Sequence, residues 1–278
     1  MHVYDISVII PAHNEADWLA RCIGALLAQD SSARSVEIIV VANACTDSTV
    51  AIARGFVPQI AARGWGTQVL DLAEAGKLNA LNAGDRAATG RARLYLDADV
   101  TCDPDLLGQL IAALATEEPR YATGALAVAP ARSWITRHYA RVWTRLPFVQ
   151  GGAVGAGLFA VNPAGRARWG AFPAIISDDT FVRLHFTPSE RIEVPARYHW
   201  PMIEGLANLV RVRQRQDAGV EELRQRYPEL MRNEGKPPVT IGALHAIATR
   251  MPVSFLVYLL VHFAVRLRPR ESGWARGR

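Results

Sequence analysis

The sequence predicts an α/β fold with a mostly parallel, Rossmann-like sheet and helices on both of its faces. Over the first hundred residues, short apolar runs alternate with helical patterns, which is typical of repeated βαβ units. The candidate strands are residues 6–10, 36–41, 67–70 and 93–96, and the helical patterns between them span residues 18–29, 48–54 and 77–88. Ligands of such sheets bind beyond the carboxyl ends of the strands, so we expect the polar segments 11–15, 42–47 and 97–99 to converge on one crevice.

The pattern changes after Pro104. A helix to about residue 116 and a strand over residues 121–129 are followed by a stretch rich in arginine and aromatic residues at 134–148. A helix-like segment at 203–227 and a break at 235–238 then precede an apolar run at 251–265. We therefore divide the chain into three predicted regions, residues 1–103, 104–204 and 205–278.

The glycine-rich segment 151–157 does not fit a dinucleotide-binding fingerprint. Ala160 stands where the third glycine would be, and a strand at 158–161 follows instead of a helix. The glycines instead predict close backbone packing beside a site.

Composition excludes several classes of protein. The chain has 278 residues, half of them apolar, which suits a globular fold with a full core. Cys22, Cys45 and Cys102 are odd in number and scattered, which argues against a disulfide framework or a zinc site and favours a reducing, cytoplasmic setting. No charged and apolar leader precedes residues 6–10, so we expect no secretory signal.

Positive charge is concentrated near the C-terminus. The net charge of +5 divides into 18 Lys and Arg against 20 Asp and Glu in residues 1–204 (18 − 20 = −2), and 13 against 6 in residues 205–278 (13 − 6 = +7). The apolar run 251–265 is shorter than the ~20 residues of a membrane-spanning helix. Two interpretations remain open: peripheral contact of residues 251–270 with an anionic membrane, or a helix buried against the core or a homodimer partner. Binding of nucleic acid is not expected, because these arginines are not interleaved with exposed-looking aromatic residues.

Two pairs of carboxylates carry the chemistry that the sequence suggests. Asp97 and Asp99 end a strand-like run, and in an extended chain they would face the same side and share a divalent cation such as Mn²⁺ or Mg²⁺. Such a pair also ends strands without binding metal. Asp178 and Asp179 follow Ser177, which predicts a helix N-cap, but an acid beside another acid also resists ionisation and suits a general base.

Five segments together resemble one family. Residues 8–15, 39–47, 76–84, 96–99 and 177–179 occur in the order and spacing of the family 2 inverting glycosyltransferases with the GT-A fold. The resemblance covers about residues 5–215. It implies that residues 1–103 bind a nucleotide sugar, that residues 104–204 bind the acceptor, and that the tail adds C-terminal helices.

The resemblance also implies residue roles. Asp179 falls on the catalytic base with Asp178 beside it, and Asp99 with Asp97 falls on the metal-binding pair. The residues that fall on the nucleotide-sugar site are Pro11, Ala12, His13, Glu15, Asn43, Asp47, Lys77, Asp97 and Arg215. His13 suits stacking on the base, or a solvent-facing loop. Lys77 is one of two lysines against 29 arginines, which suggests a compact charge near phosphate, or a solvated first-turn residue of a helix.

Two departures from the family pattern narrow the expected activity. Ala42 and Asn43 stand where the family commonly has two aspartates after its second strand, which leaves the nucleoside open. Residues 211–216 supply arginines without the tryptophan of the motif found in processive members, so non-processive transfer is expected.

The expected function is metal-dependent transfer of one sugar from a nucleoside-diphosphate sugar, a UDP-sugar first of all, to a hydroxyl acceptor. A lipid-linked sugar, a polysaccharide end and a small molecule all suit as the acceptor. A sugar nucleotidyltransferase is one alternative, but residues 11–15 are not the glycine- and lysine-rich loop that it needs. A catalytically silent nucleotide-sugar-binding or regulatory subunit is another, and the loss of Asp97, Asp99 or Asp179 would have favoured it.

Overall fold

A computed structural model describes residues 4–267 of the chain. The strands are β1 (Ile6–Ala12), β2 (Val36–Asn43), β3 (Gly66–Leu72), β4 (Ala92–Leu96), β5 (Thr101–Cys102), β6 (Tyr121–Val128), β7 (Leu158–Val161) and β8 (Arg191–Trp200). The helices are α1 (Leu19–Leu27), α2 (Thr49–Gly55), α3 (Val57–Ala62), α4 (Lys77–Ala87), α5 (Leu106–Leu114), α6 (Trp134–Trp143), α7 (Pro163–Arg166), α8 (Asp178–Leu184), α9 (Leu206–Arg226), α10 (Ile241–Arg250) and α11 (Pro252–Leu267). Two short 3₁₀ helices span Pro188–Glu190 and Pro228–Asn233. The predicted alternation of strands and helices in the first hundred residues is confirmed.

The first four long strands form a parallel sheet. The described residues build one eight-stranded sheet in the order β3-β2-β1-β4-β7-β6-β8-β5, in which β3, β2, β1 and β4 run parallel. Ala12 pairs with Ala42 at the carboxyl ends of β1 and β2. The polar segments after these strands therefore lie at one edge of the sheet, as the sequence predicts.

The other half of the sheet is mixed. Strand β7 runs antiparallel to both β4 and β6, whereas β8 runs parallel to β6 and antiparallel to the two-residue β5. Strand β7 begins beside the carboxyl end of β4, as an antiparallel neighbour must. The glycine-rich segment that precedes β7 is thereby delivered to the edge where Asp97 lies.

Strand β8 is absent from the elements that the sequence predicts. Pro195 interrupts its pattern, and proline is normally confined to edges and bulges because it cannot donate to the ladder. The structure accommodates it in a bulge, where Gly124 pairs with Val194 but Ala125 pairs with Arg197. The freed backbone N–H of Ala196 donates to Gln109 Oε1 at 2.9 Å.

Helices cover both faces of the sheet. Ile6, Val8 and Ile10 of β1 pack into a core with α1 and α5, whereas Ile9 faces the opposite core with α4 and α8. This alternation is the two-residue period of a strand that is buried on both sides.

A third core joins the C-terminal helices to α6. Tyr139 and Trp143 of α6 pack there with Leu209 of α9, Ile247 of α10 and Val261 of α11. Within residues 4–267, none of the helices is both long enough and apolar enough to cross a bilayer.

Close packing of α4 on β1 gives a test of the fold. An added Cβ at Gly84 would lie 2.5 Å from Ile9 Cγ2, whereas a Cβ at Gly24 of α1 meets no atom within 4 Å. Overpacking costs about 1–3 kcal/mol, and replacing a helical glycine by alanine gains about 0.5–1 kcal/mol. We therefore expect Gly84→Ala to lower the free energy of unfolding in urea by about 1–2 kcal/mol, and Gly24→Ala to raise it by about 0.5–1 kcal/mol. Equal effects of the two substitutions would contradict this packing.

Candidate active site

A cavity of about 240 Å³ lies at the carboxyl ends of β1, β2 and β4, and we call it the strand-end cavity. Its wall contains most of the residues that the sequence assigned to nucleotide and metal binding. These are Pro11, His13, Glu15, Asn43, Lys77, Asp97, Asp99 and Arg215. Segments that are far apart in the chain, from β1 to α9, thus supply side chains to one site.

Asn43 organises the floor of this cavity. Its buried side-chain amide donates to the carbonyl of Ala12 at 2.8 Å, and its Oδ1 accepts from the backbone N–H of Gly76 at 3.0 Å. His13 Nδ1 lies 2.5 Å from the carbonyl oxygen of Asn43. Since a carbonyl can only accept, His13 carries its proton on Nδ1. The two amide hydrogen bonds tie Asn43 to the end of β1 and to the residue before α4.

The two aspartates after β4 lie on a turn, which differs from the extended geometry expected from sequence. The strand ends at Leu96, and Val100 N–H donates to the carbonyl of Asp97 at 3.1 Å. Both carboxylates nevertheless line the strand-end cavity. The turn therefore places Asp97 and Asp99 on the same side, as the extended chain was expected to do.

Gly157 lets the backbone come close to this turn. The carbonyl of Gly157 accepts from the N–H of Asp97 at 2.9 Å. Gly157 has a φ of +74°, and a Cβ added to it would lie 2.9 Å from Trp200 Cδ1 and 3.3 Å from Asp97 Oδ2. A side chain here would be strained by the positive φ and would crowd Asp97. The prediction of close backbone packing beside a site is confirmed.

Lys77 connects the two carboxylate pairs. As the first residue of α4, it places Nζ 2.9 Å from Asp97 Oδ1 and 3.0 Å from Asp178 Oδ2. Burial lowers the pKa of Lys77, but the adjacent carboxylates of Asp178 and Asp97 outweigh burial and raise it above its ordinary value. The ammonium group is therefore charged and fixed between the two pairs.

Asp179 differs from its neighbour Asp178. Asp178 is buried against Lys77, whereas Asp179 faces a second cavity and its Oδ1 accepts from the N–H of Thr180 at 2.6 Å. Desolvation and the charge of Asp178 raise the pKa of Asp179, and the charge of Lys77 only partly offsets them. Ser177 occupies the N-cap position, but its side chain makes no capping hydrogen bond. A carboxylate with a raised pKa is suited to take a proton near neutral pH.

The second cavity, of about 540 Å³, is lined by aromatic and charged side chains, and we call it the aromatic cavity. Its lining includes Trp143, Phe148, Asp179, Trp200 and Gln216. A third cavity of about 380 Å³ shares Trp200 and Gln216 with it, and shares Glu15, Asp97, Asp99 and Arg215 with the strand-end cavity. The third cavity therefore adjoins the other two, and we call the three together the groove.

Helix α9 braces the loop that carries the second acid pair. Glu222 accepts the backbone N–H of Ile176 at 2.9 Å, and Arg226 donates to the carbonyl of Ala174 at 2.6 Å. Gly219 allows the close approach, since an added Cβ would lie 2.2 Å from Ser177 Oγ. The same helix places Arg215 in the groove, so α9 is part of the site.

Comparison with known proteins identifies the family. Residues 7–167, more than half of the chain, match the family Glycosyl transferase family 2. The chain belongs to glycosyl transferase family 2. Among curated relatives of this family 2 chain, a 36% identical match of 109 residues is to the succinoglycan biosynthesis protein ExoO of Rhizobium meliloti, over 39% of this chain and 29% of ExoO. A 30% identical match of 146 residues is to the uncharacterized glycosyltransferase YibD of Escherichia coli, over 51% of this chain and 38% of YibD. These matches span about a third of the relatives' length.

Solved structures confirm the GT-A fold of the family 2 chain. It is similar to the mannosyltransferase PcManGT from Pyrobaculum calidifontis in complex with GDP-Man and Mn²⁺, with a TM-score of 0.60 and 20% identity, over 95% of this chain and 74% of PcManGT. It is also similar to S. aureus TarS 1-349 in complex with UDP, with a TM-score of 0.51 and 14% identity, over 93% of this chain and 86% of TarS 1-349. At these identities the likeness establishes the fold.

Two residues that the sequence assigned to nucleotide-sugar binding in this family 2 chain lie outside the strand-end cavity. Ala12 is buried at the end of β1, where its carbonyl accepts from Asn43. Asp47 is exposed and ends a turn, because its carboxylate accepts from Thr49 Oγ1 at 2.6 Å and from the N–H of Ala16 at 3.2 Å. Both residues hold loops of the cavity in place.

Sequence reasoning missed the aromatic lining of the groove. Trp200 lies at the end of the unpredicted β8, and Trp143 and Phe148 lie in a stretch that was noted only for its composition. The glycine-rich segment was the one sequence signal near this lining, because Gly157 packs closely against Trp200, but its spacing does not identify Trp200 as the neighbour.

The strand-end cavity contains carboxylates that could hold a metal ion. Across residues 4–267, no three His, Cys, Asp or Glu side chains are grouped as a metal site. Asp97 and Asp99 alone fit the common arrangement in which Mg²⁺ or Mn²⁺ is held by one or two carboxylates and completed by substrate phosphates and water. The donor set is of the right chemistry, since hard cations take oxygen ligands.

The raised pKa of Asp179 predicts a stability effect with a definite sign. A carboxyl group whose pKa is higher in the folded than in the unfolded state destabilises the fold as pH rises from about 3.9, its unfolded value, through the folded pKa. Asp179→Asn removes the charge while keeping an acceptor for Thr180. We expect its melting temperature to exceed that of the wild type at pH 7, with a smaller difference at pH 4.5.

Asp47→Asn is the matched control. Partial burial raises the pKa of Asp47, but the hydrogen bonds from Thr49 and Ala16 outweigh it, and the net pKa is lowered. Its carboxylate therefore stabilises the fold above about pH 3.9, and the variant should melt below the wild type at both pH values. A melting temperature of Asp179→Asn at or below that of the wild type at pH 7 would contradict the account of Asp179.

Proposed function

We propose that this chain is a metal-dependent, inverting glycosyltransferase that moves one sugar from a nucleoside-diphosphate sugar to a hydroxyl acceptor. The single observation that carries the proposal is the ammonium group of Lys77, held within 3.0 Å of both Asp97 and Asp178. It joins a carboxylate pair suited to a diphosphate and its cation to a carboxylate pair suited to proton removal. Membership of glycosyl transferase family 2 supports the same reaction.

The donor would occupy the strand-end cavity. His13 and Glu15 would face the nucleoside, while Lys77 and Arg215 would face the diphosphate. The family resemblance of the sequence makes a UDP-sugar the first candidate donor. Because the amide of Asn43 is engaged by Ala12 and Gly76, we assign it to shaping the floor beneath the base.

The acceptor would enter the aromatic cavity and meet Asp179. Asp179 would take the proton of the acceptor hydroxyl as its oxygen forms a bond to the anomeric carbon. The bond from that carbon to the diphosphate oxygen breaks, and the nucleoside diphosphate leaves with the electron pair on the opposite face, which inverts the anomeric configuration. Trp143 and Trp200 offer apolar faces for a sugar ring.

Asp97 and Asp99 would hold Mn²⁺ or Mg²⁺ together with the donor phosphates. The cation would supply neutralisation of the charge on the leaving diphosphate. Lys77 would exchange its contact with Asp97 for a diphosphate oxygen and keep its contact with Asp178. Asp178 would thus remain paired with the ammonium group of Lys77.

A donor screen tests this proposal. Melting temperatures would be measured with UDP-, GDP- and dTDP-sugars, each with and without Mn²⁺, alongside release of the nucleoside diphosphate. At a hundredfold excess over Kd, binding adds about 2.7 kcal/mol, or roughly 5–10 °C for a chain of this size. We expect such a shift for a UDP-sugar with Mn²⁺, a much smaller one without it, and slow Mn²⁺-dependent hydrolysis. The absence of any shift across the screen would refute donor binding.

A further inference from the structure

Helix α11 presents an apolar stripe to solvent. Val253, Leu256, Leu260 and Phe263 recur at intervals of three and four residues, and each is 50–65% exposed. This spacing puts them on one side of the helix. The other side is already used, since Val257 and Val261 are buried in the third core. The stripe is therefore surplus to folding, and exposed apolar rows of this kind mark interaction surfaces.

Arginines surround the stripe. Helix α6 packs beside α11 through the hydrogen-bond contact of His138 Nδ1 with Ser254 Oγ at 2.8 Å and the stacked rings of Tyr139 and Tyr258. Three exposed arginines follow at four-residue intervals on and just after α6, and one lies in the last turn of each of α10 and α11: Arg137, Arg141, Arg145, Arg250 and Arg266.

No carboxylate side chain belongs to this group of helices. The segments Trp134–Trp143, Ile241–Arg250 and Pro252–Leu267 contain no Asp or Glu. The nearest acids already have partners: Glu204 accepts the backbone N–H groups of Arg132 and Ser133, and Asp217 pairs with Arg213. Within these three helices, the side chains that carry a full charge are therefore all cationic.

We propose that this surface, formed by α11 with the exposed sides of α6 and α10, binds an anionic lipid bilayer. The stripe on α11 would enter the boundary between headgroups and acyl chains with its axis in the membrane plane, and the arginines would contact lipid phosphates. Exposed Trp134 suits the headgroup level, and its ring packs against His138 at 4.3 Å, next to α11. The sequence continues with Arg268 and Arg270, which lie outside the described residues.

Charge complementarity favours a bilayer over a second copy of this chain. In a twofold dimer the same patch faces itself, so the arginines of one copy would face the arginines of the other, and the three helices supply no carboxylate to compensate. Like charges brought together in this way are repulsive, whereas an anionic lipid surface attracts each arginine. The inference does not depend on the proposed transfer reaction. Trp143 of α6 also lines the aromatic cavity, so bilayer binding would bring that cavity near the membrane.

Vesicle co-sedimentation of the full chain tests the inference. The probes are phosphatidylcholine vesicles with and without 30 mol% phosphatidylglycerol, as ~100 nm liposomes. Arg137→Gln/Arg141→Gln removes two charges at about 1 kcal/mol each, so binding to anionic vesicles should fall by on the order of tenfold or more. Leu256→Gln/Leu260→Gln should cause a similar loss, because it interrupts the stripe. The residues in both pairs are exposed, so folding should persist, as circular dichroism would verify.

Arg34→Gln/Arg86→Gln is the matched charge control, since both residues are exposed and lie on the parallel-sheet half. It should bind anionic vesicles as the wild type does. Failure of the wild type to bind, or equal losses in the control and the α6 variant, would overturn the inference. A wild-type dimer in sedimentation that Leu256→Gln/Leu260→Gln converts to monomer would also overturn it, by assigning the stripe to a second copy.

Discussion

The ion pairs of Lys77 with Asp97 and Asp178 are the constraint on which the groove depends. Without the ammonium group, the carboxylates of Asp97, Asp178 and Asp179 would converge with no cation between them, at a high cost in a partly dry site. The lysine is held there because Gly76, the residue before α4, has a positive φ and donates its N–H to Asn43. Lys77, at the start of α4, thereby joins the carboxylate of Asp97 after β4 to that of Asp178 in α8.

The two halves of the sheet contribute different residues to the site. Parallel strands bring loops together at their carboxyl ends, which yields a polar cavity from β1, β2 and β4. In the mixed half, Gly157 precedes β7 and Trp200 ends β8, so both lie at the same edge. Helix α9 contacts the loop that carries the second acid pair. Because the third cavity adjoins both of the others, a molecule in the strand-end cavity would lie near one in the aromatic cavity.

The sequence anticipated the parallel half more completely than the rest. Strands β1, β2 and β4 are mostly apolar, each with a single polar or charged residue near its start, and they end in polar loops. Both their positions and the convergence of those loops therefore followed from the pattern. Strand β8 was missed because Pro195 breaks its pattern and only the bulge opposite Gly124 makes it possible. The internal use of the Asn43 amide and the two partners of Lys77 depend on contacts between residues 20 to 101 positions apart, which no local pattern encodes. The aromatic lining of the groove has no spacing signal at all.

Asp97 and Asp99 would bind the donor with its cation, and Asp179, beside Asp178, would take the proton of the acceptor. Asp179→Asn and Asp99→Asn make the same chemical change in each pair. Donor affinity by calorimetry with Mn²⁺ and initial transfer rate would be measured for both variants, with the nucleotide sugar that stabilises the wild type most. Loss of a general base should slow transfer by about 10²- to 10⁴-fold in Asp179→Asn, with donor affinity unchanged, whereas Asp99→Asn should lose Mn²⁺-dependent affinity. Undiminished transfer by Asp179→Asn, or equal loss of donor affinity in both variants, would contradict the account.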